Sequence, residues 1–215
     1  MTPEFSPAGY ERLLQRLASL GYALLPVERT ADWTMGRAAY LRHDIDATIQ
    51  GAPVIADIEE RCLARSSWHV RPDAHYNPWH HPNRDILQRL HAAGHTLGLH
   101  WTAGTPADTP ALPFTPTSHS RHRPGRPPDL PPGIAYISDS GRAWRTTTPT
   151  ITDLLAGRGP SRVLLLTHHE HWLGHPAHGI AEHYATTITT LATRTALDAV
   201  ADEYQAALHH PAQAA

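Results

Sequence analysis

Six short apolar runs punctuate this chain of 215 residues, and most are separated by segments of helical period. The runs are YALLPV, AAYLRHDID, SSWHV, HTLGLHW, AYISDS and RVLLLTH. Strands joined through helices pair in parallel, so the alternation predicts a mainly parallel α/β sheet or barrel. In the first helix, GYERLLQRLASLG sets Leu13, Leu14, Leu17 and Leu20 on one face, and Gly21 ends the run. A second helix is expected over 47–64, with Pro53 near its first turn, where a missing N–H costs least. A third, RDILQRLHAAG, follows with Asn83 as its cap. TITDLLAG and a long final helix from Ile180 to Tyr204 complete the set. The segment 105–133 carries nine prolines and little periodicity. It reads as an irregular excursion, functional or disordered, within a single domain spanning 1–215.

In parallel α/β folds the ligand site lies at the carboxyl ends of the strands. The polar residues at those ends are Asp44, Asp46, His100, Asp139 and His168. Asp44 and Asp46, in LRHDID, are two positions apart, so on a strand they share one face roughly 6.5–7 Å apart. Two like charges that close cost energy unless a cation or a shared proton relieves them. A pair of solvated loop acids is the bland alternative, and a lone histidine at a strand end is more often structural. Several acids and histidines at successive strand ends are harder to explain that way.

Composition narrows the chemistry. All 18 basic residues are arginine, which removes any Schiff-base or P-loop lysine. Eighteen histidines are present, so position must decide which of them matter. Charged residues make up 18 % and the net charge is −2, which gives no sign of a nucleic-acid surface. Cys62 is the only cysteine, so no internal disulfide forms, and a small core residue is its expected role. No basic leader precedes an apolar run, and no apolar stretch approaches the ~20 residues that span a bilayer. A soluble, cytoplasmic protein without a membrane partner is the expectation; oligomeric state is left open.

Five pieces in order, LRHDID, YN (76–77), GHTLGLHW, ISDSGRAW and LLLTHHEHW, give the chain a resemblance to a family. They are similar to the polysaccharide deacetylase (NodB-homology, carbohydrate esterase family 4) superfamily, in the branch reading RHDVD, GHEIGLH and LTHPEWW. The match runs from about Tyr10 to Trp172. The resemblance implies a distorted (β/α) barrel and a divalent metal, most often zinc, that serves removal of N- or O-acetyl groups. It assigns Asp44 as catalytic base, Asp46 and His100 as metal ligands, and His168 as the group that protonates the leaving atom. The pattern then departs: the second metal histidine normally lies four residues after the first, where this chain has Gly104. His122, or else His119, from SHSRHRP is the expected replacement. His95 is expected to orient a neighbour through its ring.

Other letters admit two readings each. Asp139 and Arg142 in SDSGR either orient His168 and bind substrate or belong to a strand-to-helix turn. Trp144 and Trp172 line a pocket or fill core. Tyr76 and Asn77 contact substrate or make a turn. A Ser-His-Asp hydrolase built from Ser138 or Ser140 lacks the G-x-S-x-G elbow. HEHWLGH has the wrong spacing for a zincin helix. The expected function is therefore metal-dependent deacylation of a small acylated metabolite or sugar derivative. Two alternatives stand beside it: a metal-free hydrolase of a cyclic amide or ureide, and a binding protein that keeps the fold.

Overall fold

The computed structural model describes residues 2–74, 76–102, 104–121, 130–146, 149–174 and 180–183, with scattered positions between 185 and 200. Its strands are β1 (Tyr22–Pro26), β2 (Arg37–Ile45), β3 (Ser67–Val70), β4 (Thr96–Trp101), β5 (His119–Arg121), β6 (Ala135–Ser138), β7 (Arg145–Thr146) and β8 (Arg162–Thr167). They form one curled sheet in the order β5-β4-β3-β2-β8-β6-β7, with β1 beside the first half of β2. Every pairing is parallel except β6 with β7. The result is a mixed α/β half-barrel, compatible with a distorted (β/α) barrel.

The helices on the outer face are α1 (Pro7–Ser19), α2 (Ala52–Arg61) and α3 (His81–Ala92). Ser6 caps α1 by accepting the Gly9 N–H at 3.0 Å, and Pro7 opens the first turn. Tyr10, Leu13, Leu14 and Leu17 are buried against the sheet, as the periodicity requires. Helix α2 keeps Pro53 in its first turn but is shorter than expected, because residues 47–51 turn away after Asp46. Helix α3 starts before Asn83, which is therefore not its cap. The Asn83 side chain is buried and donates to the backbone carbonyls of Tyr76 and Asn77, pinning the preceding loop. Of the final helix, Ile180–His183 is helical, and the far end at Tyr204 lies outside the described residues. The excursion is largely irregular, but it supplies β5, the edge strand of the sheet.

Both faces of β2 are buried, which is why its sequence shows no simple alternation. Ala39, Leu41 and Ile45 face the main core with Trp68, Ile55 and Leu87 beneath the helices. Ala38 and Tyr40 face the concave side with Leu164, Leu166 and Ile134. The concave apolar cluster ends at Arg42, and from there the surface is polar. Glu28 closes the opposite end: it accepts hydroxyls from Ser67, Thr96, Thr117 and Ser118 at 2.6–2.8 Å and so staples β3, β4 and the approach to β5. Among the described residues, no helix is long and apolar enough to cross a membrane.

Candidate metal and acid–base centre

Asp44 ends β2 on its concave face, two residues after Arg42, and both side chains are buried. Arg42 grips it with Nε on Oδ1 at 2.7 Å and Nη2 on Oδ2 at 2.8 Å. Such a two-pronged contact is among the strongest a carboxylate makes. Burial pushes the Asp44 carboxyl up, but the Arg42 guanidinium outweighs it and the carboxyl is held at about 2.

Asp46 lies just beyond the strand. Its Oδ1 is 3.5 Å from Nε2 of His100, and its Oδ2 is 3.5 Å from Nε2 of His168. His100, near the end of β4, also brings Nε2 to 3.6 Å from Asp44 Oδ2. Its other nitrogen, Nδ1, lies 3.0 Å from the Ser120 carbonyl oxygen, which can only accept, so Nδ1 carries hydrogen. Its Nε2 thus lies beside two carboxylates. Burial opposes charge on Asp46, yet the neighbouring His100 and His168 rings hold its carboxyl below the usual range.

His168 follows β8. Its Nδ1 donates to Asp139 Oδ1 at 2.6 Å, its backbone N–H meets the same carboxylate at 3.0 and 3.1 Å, and Trp172 Nε1 donates to Oδ2 at 2.9 Å. Burial disfavours a charged His168, but Asp139 overcomes it and raises the imidazole well above its ordinary value. Burial likewise disfavours charge on Asp139, which His168 and then His171 hold low. The dyad is thus an ion pair whose free nitrogen points toward Asp46.

The expected residues divide into two groups. Asp44, Asp46, His100, His168 and Asp139 come together. Tyr76 braces the site from behind, donating to the Ile45 carbonyl at 3.1 Å and accepting the Arg71 N–H at 2.9 Å. Asn77 takes a positive φ of 39° and accepts the Trp79 N–H, which makes it a turn residue. Trp144 and Trp172 pack with Phe5 and each other at ring separations of 5.0–5.8 Å, Trp172 in the core and Trp144 partly buried against it. Arg142 lies over the Phe5 ring and donates to the Phe5 carbonyl, on the outer side. His95 is also on the outer face, where its Nδ1 accepts the Ser66 N–H. His119 pairs in register with Leu99 and is exposed. His122 lies outside the described residues. Gly104 sits at a positive φ of 70° in an exposed loop. The two serines bond each other, Ser138 Oγ to Ser140 Oγ at 2.6 Å, and His168 Nε2 faces Asp46, so no serine triad is assembled.

Arg42 and His69 also belong to the site, beyond the residues expected from the sequence. Strand alternation puts Arg42 on the Asp44 face, and the β2–β3 register sets His69 opposite Asp44. His69 Nδ1 lies 4.0 Å from Asp44 Oδ1. His171, three residues past His168, brings Nδ1 to 3.7 Å from Asp139 Oδ1. Asp139, His168 and His171 form a buried group that could hold a metal ion.

Comparison with family models, with curated proteins and with solved structures found no match for this chain. The site therefore stands on its own geometry.

Proposed function

We propose that this protein is a metal-dependent hydrolase of the NodB-homology type that removes an N-acyl group from a small soluble molecule. The observation that carries the reading is Asp46, whose two oxygens each lie 3.5 Å from Nε2 of a histidine on a different strand end. Asp46 and His100 would supply two of the three protein ligands that a catalytic zinc ion usually takes. When bound, such an ion acidifies water and polarises a carbonyl. Asp44 takes a proton from the attacking water, and Arg42 keeps it ionised and fixed in place. His168, protonated and oriented by Asp139, donates to the departing nitrogen. The five sequence pieces that resemble the deacetylase superfamily support the same roles.

Asp44→Asn tests the assignment. Turnover of acylated amines is expected to fall about 10²–10⁴-fold while zinc content stays at the wild-type level. Equal loss of metal and activity would move Asp44 into the ligand set. A second placement of the ion follows from the Asp139, His168 and His171 group. Under that placement His171→Ala, rather than His100→Ala, strips the metal. Full zinc occupancy with no turnover on a broad panel of acylated amines would favour a binding protein.

A further inference from the structure

Arg71 directly follows β3, and both its backbone and its side chain are tied down. Its N–H donates to the Tyr76 hydroxyl at 2.9 Å, and the same hydroxyl donates to the Ile45 carbonyl at 3.1 Å, one residue before Asp46. A single tyrosine oxygen therefore sets the spacing between Arg71 and Asp46. At the other end of the residue, Nε and Nη2 donate to the two oxygens of Asp73 at 3.2 and 3.4 Å. Asp73 in turn accepts the Thr102 hydroxyl at 3.0 Å, just past β4. The guanidinium is thus aimed from two strand ends. Its side chain is 23 % exposed, so it reaches the mouth of the site.

Nη1 is the nitrogen that Asp73 does not use. It stands 4.0 Å from Asp46 Oδ1, beyond hydrogen-bond length, so neither of its hydrogens is spent there. Arg42, the other guanidinium at the centre, is by contrast consumed on Asp44 at 2.7 and 2.8 Å. A fixed cation beside Asp46 repels any second cation held there. Its place makes sense where negative charge develops next to it. Hydrolysis of an acylated amine creates such a charge. Water adds through its oxygen to the acyl carbon, one of its protons passes to Asp44, and the carbonyl π pair moves onto the acyl oxygen. That pair then returns, the C–N bond breaks with its electrons going to nitrogen, and His168 protonates the nitrogen. The proton gained by Asp44 balances the one lost by His168.

We propose that Arg71 is a further catalytic residue, donating through Nη1 to the acyl oxygen as that oxygen takes up negative charge, with Asp73 as its positioning residue. The proposal rests on the deacylase reading. Donors fixed in advance at such an oxygen are typically worth about 10²–10³-fold in kcat. Acetate, an acyl carbon bearing anionic oxygens, is the probe, titrated calorimetrically into the zinc-loaded full chain. Arg71→Met is expected to bind acetate about tenfold more weakly than wild type, the worth of a hydrogen bond to a charged group. Its zinc affinity is expected to be no weaker, because a nearby positive charge has gone. Asp73→Asn, at a side chain 42 % exposed, keeps Arg71 but frees its aim, and a loss of about threefold in acetate affinity is expected. Acetate bound equally by wild type and Arg71→Met, or not at all by the zinc form, would overturn the proposal and leave the deacylase reading standing. Zinc lost along with Arg71 would make it a support for Asp46 and overturn it too. No zinc taken up by wild type would remove the reading itself, and the proposal with it. Should Arg71→Met fail to fold, Asp73→Asn decides, and unchanged acetate affinity there overturns the proposal.

Discussion

At His168 two opposing effects set the charge. Burial works against the imidazolium, and the Asp139 carboxylate outweighs it. A histidine raised in the folded state contributes stability that is complete below its unfolded value of about 6.5 and is lost as pH climbs through the raised value. Asp139, held low, contributes stability that is present above about 3.9 and is lost as pH falls through its depressed value. Wild type is therefore expected to exceed Asp139→Asn in stability most between about pH 4 and 6.5, with the gap closing at higher pH. Denaturant titrations across that range measure it. The alkaline limb of activity is expected to shift down in the same variant, and an unmoved limb would remove the dyad from the mechanism. Asp44, Asp46, His100 and His168 were legible in the sequence because each is a polar residue closing an apolar run. Arg42 and His69 were not, because their meaning comes from a neighbour on the same face or the next strand. Arg142 and Trp144 have the letters of a binding site, but long-range packing against Phe5 takes them elsewhere.

Behind the sheet, a second polar group ties elements together. Glu59 of α2 is fully buried and accepts from Tyr10 of α1 at 2.7 Å, His43 of β2 at 2.9 Å and Ser66 at 2.6 Å. His43 continues through Nδ1 to Thr167 of β8 at 2.9 Å, one residue before His168. Helices α1 and α2 are thus locked to the two strands that carry Asp44 and His168. Burial raises the Glu59 carboxyl, but His43 foremost holds it low, so the charged form is the folded form. Removing that charge weakens the three hydrogen bonds that converge on it from Tyr10, His43 and Ser66. Glu59→Gln is expected to cost about 3 kcal/mol, since hydrogen bonds to a charged group are worth about 1.5–3 kcal/mol and the amide also brings an unmatched donor. Equilibrium denaturation checks this, and a loss below about 0.5 kcal/mol, the range of ordinary surface changes, would contradict the brace. Periodicity revealed the helices, but their ends were less legible. Asn83 resembles a cap, yet Pro82 starts the turn earlier and frees the asparagine to bind the Tyr76 and Asn77 carbonyls.

For the whole molecule, strand–helix alternation gave the parallel half-barrel, and the strand-end rule gave the position of the site. Strand order was not readable, because β1 and β3 share one edge of β2 and β8 takes the other through pairings far apart in sequence. Nor was β5, since three residues in a proline-rich segment carry no periodic signal. The curvature that results brings β2, β4, β6 and β8 to one mouth. Zinc-soaked crystals examined by anomalous scattering test the account most directly. One peak is expected about 2.0–2.2 Å from an Asp46 oxygen and from His100 Nε2, with Asp44 outside the coordination sphere. A peak held by Asp139 and His171, or none beside Asp46, would contradict it.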